Sequence, residues 1–80
     1  MKALIYVTLK EGVLDPQGAA ITNSLKQKGI NNVQEIRQGK YFEINLDTSN
    51  QDEAKKLADQ ICKDLLVNTV LEDYNFKLVA

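Results

Sequence analysis

Lys10-Glu11-Gly12-Val13-Leu14-Asp15-Pro16-Gln17-Gly18 joins an alternating apolar run, Ala3 to Leu9, to a helical pattern that begins near Pro16. Each special residue in it has a local task. Gly12 permits a positive φ in the turn that leaves the strand. Asp15 is placed to accept hydrogen bonds from the first free helical N–H groups, at the positive end of the helix dipole. Pro16 suits the first helical position, where its missing N–H costs nothing. Gly18 falls in the first helical turn, where glycine is less favourable than alanine by roughly 1 kcal/mol. Its presence there predicts the close approach of another backbone. The stretch is therefore read as a strand-to-helix junction. A phosphate-binding loop is the alternative, and it fits badly. Gly12 and Gly18 do not make G-x-G-x-x-G, no lysine follows a glycine as in a P-loop, and Asp15 would repel an anion at that helix N-terminus.

On the N-terminal side, Ala3, Ile5, Val7 and Leu9 share one strand face, and Leu4, Tyr6 and Thr8 the other. On the C-terminal side, Ile21 and Leu25 carry the helix, with Gly18 and Thr22 beside them. Gly29 follows Lys26 and Lys28 as its left-handed stop, and Asn31-Asn32 is turn material. Val33 to Leu46 reads as two strands around a hairpin tip at Gln38-Gly39-Lys40, with Gly39 supplying a positive φ. Phe42, Ile44 and Leu46 alternate with Tyr41, Glu43 and Asn45. Val33 to Arg37 alternates poorly, because Val33 and Ile36 share a face only with a bulge or an early start. Ser49 or Asn50 caps a second helix. Ala54, Leu57, Ala58, Ile61, Cys62 and Leu65 form its apolar stripe, and Asn68-Thr69 ends it. A last strand runs from about Val70 to Val79, with Val70, Tyr74, Phe76 and Leu78 on one face.

The order is β-α-β-β-α-β. It predicts an α+β, ferredoxin-like split βαβ fold: one antiparallel sheet with two helices on one face, as a single domain over residues 1–80. The second sheet face then has no helix on it. Leu4, Tyr6, Tyr41, Leu71 and Val79 are placed there, and so much apolar surface predicts self-association through the sheet.

Composition narrows the function. The chain has 80 residues, ten basic and eleven acidic, for a net charge of −1. That is no field for duplex nucleic acid or an anionic membrane. No 18-residue apolar run or secretory signal is present, and the single cysteine, Cys62, suits a reducing compartment; a cytoplasmic protein is expected. The chain has no histidine. Cys62 lies on an apolar helix stripe and is read as a core residue. Glu72 and Asp73 are adjacent, so on a strand they face opposite ways and make no carboxylate dyad. Arg37 and Lys40 bracket the hairpin tip, as a solvated turn or as a contact for an anion or a partner's carboxylate. No catalytic group, bound cofactor or metal site is expected of the chain itself.

The wording of the sequence is more specific than its fold. Val7-Thr8-Leu9-Lys10-Glu11-Gly12-Val13-Leu14-Asp15-Pro16-Gln17-Gly18 resembles the signature of the PurS family. So do Val33-Gln34-Glu35-Ile36-Arg37-Gln38-Gly39-Lys40 and the ending Val70-Leu71-Glu72-Asp73-Tyr74. The resemblance covers the whole chain. It implies the small subunit of phosphoribosylformylglycinamidine (FGAM) synthase, an ATP-dependent C–N ligase of purine biosynthesis. In that complex a glutaminase, PurQ, releases ammonia, and a synthetase, PurL, uses it to convert formylglycinamide ribonucleotide to formylglycinamidine ribonucleotide. The complex uses ATP, Mg and glutamine. The small subunit is implied to have no chemistry of its own, to act as a homodimer or dimer of dimers, to bridge the other two and to assist ammonia transfer.

The resemblance implies these roles by position. Lys10, Gly12, Asp15, Pro16 and Gly18 form a docking surface, and Arg37, Gly39 and Lys40 a second contact. Leu4, Tyr6, Tyr41 and Tyr74 belong to the interface. Two rival readings follow from the same residues. Ile5-Tyr6-Val7-Thr8-Leu9 and Gly39-Lys40-Tyr41-Phe42-Glu43-Ile44 look a little like the aromatic strand motifs of RNA-binding domains. Against this stand incomplete motifs, a pI near 5.3 and Glu43 among the would-be phosphates. A regulatory domain sensing a small molecule at a dimer interface would use Gly12 and Gly29, and a ligand-dependent melting shift would identify it.

Overall fold

The computed structural model describes residues 1–80. Three strands, β1 (Lys2–Leu9), β2 (Gly39–Asn45) and β3 (Glu72–Val79), form one antiparallel sheet in the order β2-β1-β3. Two helices, α1 (Pro16–Gln27) and α2 (Gln51–Ile61), complete the chain, and a π-helical turn at Cys62–Leu66 extends α2. The α+β class, the antiparallel sheet and the two helices agree with the sequence reading.

The caps do too. Asn50 accepts from the Glu53 amide at 3.0 Å and starts α2. Gly29, at φ +84°, ends α1. Its amide reaches the Lys26 carbonyl, and the Ile30 amide reaches that of Leu25, which is the Schellman arrangement.

The core lies between α2 and the central strand. Ala3, Ile5 and Val7 of β1 are buried against Ala58 and Cys62, with Val67 closing one end. Register places Phe42 beside Ile5 and Ile44 beside Ala3, and on the other side Tyr74, Phe76 and Leu78 beside Val7, Ile5 and Ala3. These five side chains share the helix side of the sheet, and all are only half-buried.

Four expectations need correction. No strand forms at Val33–Arg37, so there is no hairpin at Gln38-Gly39-Lys40. Residues 30–38 run instead as a strap beside α1, where the Ile36 amide donates to Thr22 Oγ1 at 3.1 Å rather than to a neighbouring strand. Gly39 has no positive φ; it starts β2, where a Cβ would lie 2.5 Å from the Val7 carbonyl oxygen. Leu65 is 82% exposed, although its spacing put it on the core stripe. The π turn, closed by the Val67 amide on the Cys62 carbonyl, inserts an extra residue and rotates Leu65 outward. Val70 and Leu71 belong to the turn before β3, so Leu71 is not on the open sheet face.

The largest departure is the position of α1. It makes no extended contact with any strand or with α2. With its strap it forms an arm beyond the sheet, and the molecule measures 50 × 26 × 14 Å. The radius of gyration is 16.1 Å, against about 12 Å for a compact chain of this length. Accessible surface is 6027 Å²; a compact monomer of this mass exposes about 4,850 Å². The excess is roughly 1,200 Å², and the arm carries exposed apolar side chains, Ile21 at 43% and Ile30 at 42%.

Candidate functional site

The residues singled out around Asp15 come together at the neck, where the arm leaves the sheet. The loop after β1 is held first. The Lys10 amide donates to the Leu71 carbonyl at 2.8 Å, and the Val13 amide closes a turn on the Lys10 carbonyl, with Gly12 at φ +84°. Lys10 Nζ pairs with Asp73 at 3.0 Å. Both ends of that pair are exposed, so it orients the side chain more than it stabilises the fold.

Asp15 then uses both carboxylate oxygens. Oδ1 accepts from the Gly18 amide at 3.0 Å and caps α1, with Pro16 in the first helical position. Oδ2 accepts from the Gln38 amide at 2.9 Å. The Gln38 bond, then the Gly18 bond, hold the carboxyl below its ordinary value of 3.8. Gly18 is the buried residue of α1. A Cβ on it would lie 2.2 Å from the Ile36 carbonyl oxygen, so the backbone approach that its position predicted is present. Thr22 ties the same two segments, donating to the Gly18 carbonyl at 2.9 Å and accepting from the Ile36 amide. The Arg37 guanidinium donates to the Leu9 carbonyl.

Two clefts flank this neck. The larger, about 520 Å³, lies between the Lys10–Asp15 loop, the start of α1 and Gln34–Arg37. The smaller, about 280 Å³, brings Pro16, Gln38, Gly39 and Lys40 next to Glu72. Lys40 pairs with Glu72 across the end of β1 at 3.5 Å. Arg37, Gly39 and Lys40 are therefore part of the Asp15 neighbourhood, not a separate hairpin tip.

The open sheet face is more mixed than its sequence suggested. Tyr6 and Tyr41 lie directly opposite, with ring centroids 5.2 Å apart and planes tilted by 35°. Leu4 and Val79 share that face by alternation, but so do Asp73, Asn75 and Lys77 of β3. Lys2 meets Glu43 there at 3.6 Å. Loss of water around its ring, and then the Glu43 charge, push the Tyr41 hydroxyl above its ordinary value. Tyr74 stands apart from this group. It is on the helix side, where its hydroxyl donates to Asp59; that bond, followed by one from Lys63, holds the Asp59 carboxyl low.

The chemistry available is limited. No three of the acidic or cysteine side chains gather as a metal site. Burial pushes the Cys62 thiol up, which disfavours the nucleophilic thiolate. Asp15, Thr22 and Arg37 are engaged with the backbone, and Lys10 and Lys40 with carboxylates of β3. They fix a shape and offer no general acid or base beside a nucleophile.

Sequence reasoning did not find Thr22, Ile36 and Asp73 as members of the site. Thr22 had a signal, since it lies one helical turn after Gly18 on the same side. Ile36 and Asp73 had none, because their partners are fixed by tertiary placement.

With this geometry in place, the chain can be set beside known proteins. The sequence profile of a family described as "PurS: Phosphoribosylformylglycinamidine (FGAM) synthase" matches residues 2–80. Phosphoribosylformylglycinamidine synthase subunit PurS of Bacillus subtilis is 44% identical over 77 residues, spanning 96% of this chain and 90% of its own. The subunit of the same description from Methanocaldococcus jannaschii is 38% identical over 77 residues, spanning 96% and 93%. The crystal structure of M. jannaschii PurS superposes with a TM-score of 0.85 at 38% identity, covering 95% of this chain and 92% of that one. A chain of the structure of PurLQS from Thermotoga maritima superposes with a TM-score of 0.87 at 30% identity, covering 95% and 93%.

Proposed function

The chain belongs to the PurS family of FGAM synthase subunits, and from that premise we propose that it is the non-catalytic subunit that bridges a glutaminase and a synthetase. The observation that carries this reading is the full-length likeness, in sequence and in fold, to a chain of the PurLQS structure. The neck chemistry agrees, because Asp15, Thr22 and Arg37 all spend their polar atoms on backbone groups. ATP, Mg and glutamine are assigned to the partner subunits, PurL and PurQ.

The physical purpose of such a subunit is to hold two active sites in line. Ammonia is a nucleophile only while unprotonated, and neutral bulk water converts most of it to ammonium. A protein that aligns the sites and excludes water assists the reaction without touching the reacting atoms. A role in purine biosynthesis supports a cytoplasmic location. No helix is long and apolar enough to cross a membrane.

The working unit is a homodimer. The roughly 1,200 Å² excess per chain, covered on both copies, amounts to about 2,400 Å², within the range of obligate homodimers. We assign the arm of a second copy, with Ile21, Leu25 and Ile30, to the helix side of β2, where Phe42, Ile44 and Leu46 are only half-buried. Sedimentation equilibrium tests the dimer, and co-elution with PurL and PurQ tests the bridge. A monomer at micromolar concentration removes the first, and separate elution under turnover conditions removes the second. RNA binding is disfavoured, since Tyr6 and Tyr41 turn toward each other beside Glu43.

A further inference from the structure

The arm is joined to the sheet by two connectors only, the Lys10–Asp15 loop and the Arg37–Gly39 segment. Apolar packing does not hold it there, because α1 makes no extended contact with the sheet or α2. Its direction must come from polar bonds across the neck. The Thr22 bonds do not supply it, since Gly18, Thr22 and Ile36 all lie within the arm. Asp15 is different. Its two oxygens bond the first turn of α1 on one side and, on the other, Gln38, the last residue of the strap where it enters β2. The Arg37–Leu9 bond is the second tie across the neck.

We propose that Asp15 is the positioning residue that sets the direction of the arm relative to the sheet, so that the arm meets a second copy already aimed. A helix of this length is a lever of about 18 Å. A 20° swing at the neck moves its far end by about 6 Å, more than a side-chain interface tolerates. The inference rests on the homodimer reading for its consequence, and on the two Asp15 bonds for its cause. The charged groups around the carboxylate are Glu35 and Arg37 on the strap, Lys40 on β2, Glu72 at the start of β3, and Lys10 and Glu11 in the loop.

Asp15→Asn and Asp15→Ser separate positioning from capping. Asparagine and serine both cap helices as well as aspartate does. Each keeps an acceptor for the Gly18 amide, but neither serves the Gln38 amide at the same time. The test measures residual dipolar couplings of α1 and sheet amides in the full-length chain, together with the dimer dissociation constant. In both variants α1 is expected to persist, the Gln38 amide to lose exchange protection, and the α1 couplings to depart from the single rigid-body fit. Self-association is expected to weaken by about tenfold, the size of one good hydrogen bond. Wild-type orientation together with unchanged self-association in both variants overturns the proposal. A wild-type chain that is monomeric throughout overturns the homodimer reading instead, and the couplings still decide whether Asp15 aims the arm.

Discussion

Gly18→Ala should destabilise the chain, although intrinsic helix propensity predicts the opposite. Alanine in place of glycine within a helix gains up to about 1 kcal/mol. Here the new Cβ would lie 2.2 Å from the Ile36 carbonyl oxygen and 2.8 Å from Asp15 Oδ2. A carbonyl of the main chain must then retreat by roughly 1 Å to restore van der Waals contact. Overpacking of this kind costs about 1–3 kcal/mol, and the rigid backbone neighbour puts this site at the upper end. Withdrawal of Ile36 also breaks its bond to Thr22, at about 1 kcal/mol, and pulls Gln38 from Asp15. The net expectation is a loss of about 2–3 kcal/mol, from a total on the order of 4–12 kcal/mol for a chain of this length. Guanidinium unfolding followed by circular dichroism, at one fixed chain concentration, measures it. Ala20→Gly, an exposed change in the same helix, is the control and should cost about 1 kcal/mol. A Gly18→Ala chain as stable as the wild type would refute the close approach at Ile36.

Acid should loosen the fold for a reason visible in two carboxylates. Asp15 and Asp59 both have folded-state values below the ordinary 3.8. The unfolded chain therefore binds more protons, so their contribution is present above about pH 4 and is lost as pH falls through the folded-state values. Denaturation midpoints between about pH 5 and 2 should fall, and Asp15→Asn should flatten that slope. In α2, Ala58→Leu is expected to cost about 1–3 kcal/mol because Ala58 is fully buried against the sheet. Leu65→Gln should change stability by less than about 0.5 kcal/mol, and a large loss there would mean that the π turn does not rotate Leu65 outward. Arg37→Glu should weaken complex assembly in gel filtration while the sheet keeps its melting behaviour; unchanged assembly would take Arg37 out of the contact.

Much of this fold was legible because its signals are local. Asp15, Pro16, Asn50 and Gly29 mark helix ends through bonds within a few residues, and each did so in the structure. The alternation of Ala3, Ile5 and Val7 and the Ala54–Ala58–Cys62 stripe identify the core, since burial of a regular element imposes its period. What the sequence did not reveal depends on tertiary choices. Val33 to Arg37 contains strand-forming residues, but the Ile36 amide bonds Thr22, and the Gln38 amide that follows bonds Asp15. The Leu65 miscount comes from one extra residue in the π turn, which no periodic pattern records. The exposure of Ile21, with Leu25 only half-buried beside it, is also a tertiary matter. Their apolar pattern correctly marks a face to be covered, but not which molecule covers it. At the neck, Gly18 announced a close backbone, while the identity of that backbone, Ile36, depended on the path of the strap.

The most direct test is a reconstitution with the synthetase and glutaminase subunits. Product formation from glutamine is compared with product formation from an ammonium salt, with and without this chain. A bridging, non-catalytic subunit predicts that glutamine-dependent synthesis requires the chain and that ammonia-dependent synthesis needs it far less. Equal glutamine-dependent rates in its presence and absence would contradict the account.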